Sequence, residues 1–235
     1  MAGLSPSRGP WRIAALLGTV LLLLSACAST KQPEFYTLMP GIDLTASARS
    51  GGDPVHLRFG NVSVPEAHSR AVIVARAPGA SAEGLLVRFP RERWLSSYPV
   101  EVRDSLRYQV ARLLNARDVT RGRTLPGARV LRIDVQVQAL DRVLGQRVAG
   151  EFSWTVSGGA KPLRCEARIQ HAVQGESASA LVQAERRLME KLAAAVAGSA
   201  DPAASNVPAD CVETSARRAR PFRPSAPRTD KRKAT

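Results

Sequence analysis

The chain has 235 residues, 34 Lys and Arg against 20 Asp and Glu for a formal charge of +14, and only 5% aromatic residues. Less its two ends, that is the length of one domain built around one core. Among its three cysteines and three histidines there is no CxxC, no HExxH and no Cys/His cluster at ligand spacing, which argues against a metal site; no cofactor is expected.

The chain opens with Arg8 and Arg12, an apolar run of about a dozen residues from Ile13 to Leu24, and the small residues Ser25 and Ala26. This is the pattern of an export leader, and the run is well short of the ~20 residues needed to cross a bilayer as a helix. Leu24-Ser25-Ala26-Cys27 looks like the lipobox of bacterial lipoproteins. That resemblance implies a signal peptide over residues 1–26 and an acylated Cys27 as the first mature residue. Several acyl chains at about 0.8 kcal/mol per buried methylene make an anchor that does not release. Ala28, not an aspartate, follows Cys27, so by analogy with Gram-negative lipoproteins the expected site is the outer membrane, facing the periplasm. Two positive charges fall in the leader and a net six in residues 213–235, leaving about +6 for the rest. An exported, anchored chain meets no nucleic acid, so the counter-charges expected are anionic lipid headgroups, lipopolysaccharide phosphates or an acidic protein.

After a short polar tether, residues 27–33, Glu34 to Leu38 reads as a first strand and residues 41–53, rich in Ser, Ala and Gly, as a loop. Val55 to Phe59 alternates apolar and polar, Gly60-Asn61 interrupts it, and Val62 to Pro65 resumes it, which suggests a bulge or turn. Ala71 to Ala75 and Gly84 to Phe89 are two further strands that can pair as a hairpin across Pro78-Gly79.

The period then changes to that of a helix. Val102, Leu106, Val110, Leu113 and Leu114 share one face, with Ser96 or Ser97 as the cap and Pro99 in the first turn. A loop from Arg117 to Gly127 follows. Leu131, Ile133, Val135, Val137 and Ala139 then alternate with polar residues; Val148 to Val156 and Leu163 to Ile169 do so again, an antiparallel meander. Leu181, Ala184 or Glu185, Leu188, Leu192 and Val196 make a second amphipathic helix, with Gly198 as its stop. The fold class predicted is α+β: an antiparallel sheet with a meander in the C-terminal half and two amphipathic helices packed on one face, over residues 34–199. Residues 200–235, rich in Pro, Ala, Ser and Arg, read as a disordered basic tail. It is either solvated or in contact with an anionic surface. Cys165 and Cys211, left over once Cys27 is acylated, are either a disulfide or two partly buried free thiols.

The order of lipobox, Phe35-Tyr36-Thr37-Leu38, Val62-Ser63-Val64-Pro65 with Arg70 following, Trp94 before a helix, a three-strand meander and a closing helix over Leu181-Val182-Gln183-Ala184 resembles the ABC-type transport auxiliary lipoproteins. The resemblance covers most of residues 21–198; the long basic tail departs from it. It implies a non-enzymatic part of a lipid transport system in the Gram-negative envelope, an MCE-domain protein as partner, and self-association into a homo-oligomeric ring around that partner.

The residues offer little for catalysis. No Ser, Cys or carboxylate stands at a recognisable spacing from His56, His68 or His171; Ser69 is only a chain neighbour of His68. Glu101 and Asp104 could form a carboxylate pair, but acids at a helix start ordinarily serve the dipole. Phe152 and Trp154 read as core. Phe35, Tyr36 and Trp94 are the candidate partner interface, Phe35 and Tyr36 as an edge strand and Trp94 as either an anchor or a helix staple. The alternative from another class is a structural lipoprotein that links the outer membrane to peptidoglycan through its basic tail. A periplasmic hydrolase comes third, without a constellation to support it.

Overall fold

The computed structural model describes residues 32–41, 55–79, 85–159, 161–201 and 209–213. In chain order the strands are β1 (Glu34–Tyr36), β2 (Val55–Ser63), β3 (Val72–Arg76), β4 (Leu86–Trp94), β5 (Arg117–Asp118), β6 (Arg129–Val143), β7 (Arg147–Ser157), β8 (Leu163–Ala172) and β9 (Asp210–Glu213). Helix α1 (Tyr98–Leu113) lies between β4 and β5, and α2 (Ala178–Ala200) between β8 and β9. The α+β class and the β6–β7–β8 meander are as expected.

The spine is β6. Along its first half Leu131, Ile133, Val135 and Val137 are buried against polar residues in alternation, as a sheet with one covered face requires. One edge of β6 pairs with β7 antiparallel. The other is shared end to end: β2 runs parallel to it from Val55↔Arg129 to Ser63↔Gln136, and β3 reaches it at Arg76↔Val143. The sheet is therefore mixed rather than antiparallel, with order β1-β4-β3-β6-β7-β8-β9 and with β1–β4, β2–β5 and β2–β6 all parallel. Alternation reports which face is buried and carries no information on strand direction.

Three bulges change what faces inward, the first in β2 between Phe59 and Val62, at the expected Gly60-Asn61 interruption. Between Val137 and Ala139 the β6 register slips, so Ala139 is exposed and Arg142 is buried in its place. Between Val72 and Val74 four residues of β4, Phe89 to Glu92, oppose Ile73 alone, and Pro90, which has no N–H to pair, sits in that bulge.

Both helices cover one face, α1 against β2 and β5, α2 against β7 and β8, and each against the other. Val102, Leu106 and Val110 of α1 and Leu181, Leu188, Leu192 and Val196 of α2 are fully buried with Phe152 and Trp154 of β7. Leu113 is exposed as α1 ends, and α2 runs through Gly198 to Ala200 instead of stopping there. Ser177 caps α2, its hydroxyl accepting from Ala180 N at 3.2 Å. At the helix's other end Trp154 Nε1 donates to Ser199 Oγ at 2.9 Å, which ties the helix to the sheet. Strand β9 is a second correction: Asp210–Glu213 lie within the segment read as tail, yet pair antiparallel with β8, Cys165 opposite Cys211.

Candidate functional site

The sequence-derived candidates fall in three places. Cys27, with the leader, the start of the tether, the 42–54 loop and the tail beyond Glu213, lies outside the described residues. Cys165 and Cys211 are joined by a disulfide that fastens β9 to the buried side of β8. Phe35, Tyr36 and Trp94 meet where β1 pairs with the end of β4, Phe35↔Arg93 and Tyr36↔Trp94. Phe35 is 59% exposed, Tyr36 half-buried and Trp94 1% exposed. Of the two readings of Trp94, burial is against the exposed interface anchor: its ring packs at the start of α1, tilted on Tyr98 with centroids 5.5 Å apart. The surface at this edge is Phe35 and the hydroxyl end of Tyr36, which donates to Glu34 at 2.8 Å. Donating that bond to a carboxylate, and partly buried, the Tyr36 phenol is raised above its ordinary value.

What holds this edge is a carboxylate that sequence reasoning gave only a dipole role. Glu101, in the first turn of α1, is buried. Its Oε2 accepts from Thr37 Oγ1 at 2.6 Å and Leu38 N at 3.0 Å, and its Oε1 from Ser96 Oγ at 2.6 Å and Ser96 N at 3.0 Å. Ser105 Oγ donates to Leu38 O, and Arg186 of α2 to Thr37 O. The segment leaving β1 is clamped by both helices, so the edge strand has a fixed position. Asp104 turns elsewhere, to Arg103 and Arg107, and no carboxylate pair forms with Glu101.

A second buried cluster was legible only in part. Arg142, turned inward by the β6 bulge, donates from Nε to Glu185 Oε2 at 2.9 Å and from Nη2 to Oε1 at 2.7 Å. Tyr98 donates its hydroxyl to Glu185, and the Arg142 guanidinium lies 4.5 Å from the Tyr98 ring centroid and 5.9 Å from that of Trp94. Arg142 Nη1 is 3.0 Å from His68 Nδ1. Burial pushes the Tyr98 phenol well up, and Glu185 adds to it. For Arg142 burial acts to lower the value, but the Glu185 carboxylate and Tyr98 outweigh it and hold the cation. His68 is lowered, first by burial and then by Arg142. This arrangement joins β6, α1, α2 and the 3₁₀ turn Glu66–His68; it is a filled core with matched charges, and Ser69, beside His68, donates to Glu66 O instead of to the ring.

The remaining histidines have other settings. His171 is half-buried on β8. His56 is buried on β2, its Nδ1 accepting from Leu125 N at 3.4 Å and its Nε2 without a partner among the described residues. An open depression of about 240 Å³ on the helix-free face is lined by Asn61, Ser63, Asp134, Gln136, Thr155 and Arg164 among others, and contains no histidine. Among the described residues no group of His, Cys, Asp and Glu could hold a metal, and no helix is long and apolar enough to cross a membrane.

Comparison with known proteins bears on this geometry. The family described as ABC-type transport auxiliary lipoprotein component matches residues 36–197. Among solved structures, that of an uncharacterized protein is similar with a TM-score of 0.57 at 15% identity over 73% of this chain and all of that one. Protein XCC0632 from Xanthomonas campestris, of the DUF330 family, gives a TM-score of 0.47 at 10% identity over 72% of this chain and 99% of its own. No protein of curated function matches.

Proposed function

The chain belongs to the family of ABC-type transport auxiliary lipoprotein components, and on that premise we propose that it is a non-catalytic subunit of a lipid transport system that maintains the Gram-negative envelope. In this reading residues 1–26 are removed, acylated Cys27 anchors the chain in the outer membrane facing the periplasm, and residues 27–33 tether the domain. Copies of the chain self-associate around an MCE-domain protein that bridges the membranes. The observation that carries the reading is the extent of the family match, which begins in β1 and ends within the last turn of α2. What is shared runs from β1 through α2, all of the sheet but β9, and not one motif. The Cys165–Cys211 bond supports it further, since such bonds persist in oxidising compartments such as the periplasm.

The test is affinity purification of the intact chain from detergent-solubilised envelopes. Recovery of an MCE-domain protein with its ABC transporter, and elution as an oligomer, is the expected result. Peptidoglycan fragments alone, with monomeric elution, would replace this reading with the wall-linking one.

A further inference from the structure

The two ends of the sheet are chemically unlike. Strand β1 runs parallel to β4, and β4 runs from Leu86, beside Arg76, towards Arg93, beside Val72. The chain that precedes Glu34 therefore points to the end of the sheet where Arg76 meets Val143. The opposite end is where β2 and β6 begin, at Val55↔Arg129, with β5 alongside at His56↔Arg117.

At that far end the segment after β5 folds back on β2. Val119 N donates to Leu57 O at 2.9 Å, Phe59 N to Thr120 Oγ1 at 2.9 Å, and Leu125 N to His56 Nδ1. Val119 is buried, and Ala128 N closes the loop on Leu125 O. A pinned loop thus presents Arg121 and Arg123 with Leu125, 48% exposed. Arg58, Arg117 and Arg129 stand exposed beside them on β2, β5 and β6. None of these five arginines has an ion-pair partner among the described residues. Among the described residues the neighbouring carboxylates are taken, Asp118 by Arg107 and Thr120, Asp134 by Arg132. Asp118 is held below the ordinary carboxylate range: burial works against this, and the Thr120 and Arg107 donors prevail.

We propose that this arginine-bearing end is the docking surface for an acidic face of the partner protein. Guanidinium forks bind carboxylates in pairs, and arginine is enriched among residues that dominate binding energy. A loop already fixed by its own hydrogen bonds gives up little freedom on binding. An exposed leucine on the same loop as two exposed arginines supplies an apolar contact beside the charged ones. Geometry favours a protein over a membrane here, an argument that rests on the functional reading above. By register, Phe35 lies level with about the tenth residue of β6 beyond Arg129, roughly 30 Å away at 3.3 Å per residue. The six residues between Cys27 and Glu34 span at most about 21 Å. Anchored there, the arginine end faces away from the membrane and towards whatever approaches from the periplasm.

The experiment uses the full lipidated chain and the MCE-domain protein of its own transport system, with binding measured at low and at moderate salt. Arg121→Glu combined with Arg123→Glu is expected to weaken association by about tenfold or more, and salt to weaken the wild-type complex. Arg168→Glu with Arg187→Glu, both exposed elsewhere, is the control and should bind as wild type. Circular dichroism checks that both variants are folded. Equal loss in the control, or wild-type binding by the Arg121/Arg123 variant, overturns the assignment of this surface while leaving the transport reading intact. Failure of the wild-type chain to bind overturns both. A third arm uses vesicles of phosphatidylglycerol and phosphatidylcholine: if the unlipidated Cys27→Ala chain binds them and the further Arg121/Arg123 reversal abolishes it, the surface belongs to lipid headgroups and the protein assignment falls.

Discussion

Arg142 and Glu185 face each other at 3% and 0% exposure, so each is tolerable only because of the other. Removing one partner of such a pair strands a charge in a medium of low polarity, whereas replacing both with apolar residues of similar size removes the desolvation cost with the attraction. Glu185→Ala should therefore destabilise the fold by about 3–5 kcal/mol in chemical denaturation, and Arg142→Met with Glu185→Leu should come close to wild type. If the double replacement is as damaging as the single one, the cluster does more than balance its own charges. Beside it, His68 gives a pH signature. Its value is lowered in the fold by burial and by Arg142, so the unfolded chain, with the histidine near 6.5, binds the proton more readily. Stability is then full above about 6.5 and declines as the pH falls from there towards the lowered folded value. His68→Gln should flatten that part of a stability-against-pH curve. An unchanged slope would place the acid sensitivity elsewhere.

At the scale of elements, β9 is the segment whose existence depends most on a single bond. Its four residues are all exposed, and apart from the strand pairing with β8 and the Lys161–Glu213 contact it is held by Cys211. The bond closes a loop with a sequence separation of 46, for which chain-entropy estimates give about 4 kcal/mol. Cys211→Ser should lower stability by about 2–4 kcal/mol and release the amides on the outer edge of β8 to hydrogen exchange, while β6 and β7 stay protected. Exchange that spreads into β7 would show β9 supporting the core. Strand β9 also marks where sequence reading stops. Asp-Cys-Val-Glu is too short to show a period, and what makes it a strand is a partner 46 residues away. The meander and both helices were legible because their apolar residues repeat over ten or more positions. The mixed strand directions were not, since a parallel and an antiparallel strand share the same alternation. Arg142 was hidden by a bulge that reverses the phase of β6 after Val137. Glu185 was visible as a polar residue on an apolar helix face, a signal that could have identified it as one half of a buried pair. Glu101 gave the same signal more faintly, and its tie to Thr37 and Leu38 explains what the Phe-Tyr-Thr-Leu stretch contributes beyond strand propensity.

At the scale of the molecule, the sheet order runs from β1 to β9, two unlike strands that each have one side unpaired among the described residues, as β5 has beside β2. Open edges invite pairing with another chain, and short strands limit but do not remove that tendency. An assembly that joins one edge of a copy to a different surface of the next is heterologous, and such contacts close into rings when the rotation permits. The β1 edge suits this role: it is fixed by the Glu101 clamp from behind and carries Phe35 outward, 59% exposed, so a contact there would cover an aromatic ring without reordering the strand. Phe35→Asp places a charge at the centre of that contact and touches nothing in the core. If the chain assembles as proposed, light scattering should show oligomers for the wild type and monomers for the variant, with the same thermal midpoint for the monomer's unfolding. Retained oligomers would move self-association to another face. Loss of thermal stability along with assembly would instead mean that Phe35 supports β1 itself, because a residue that only meets a neighbour cannot change the stability of a protein measured without one.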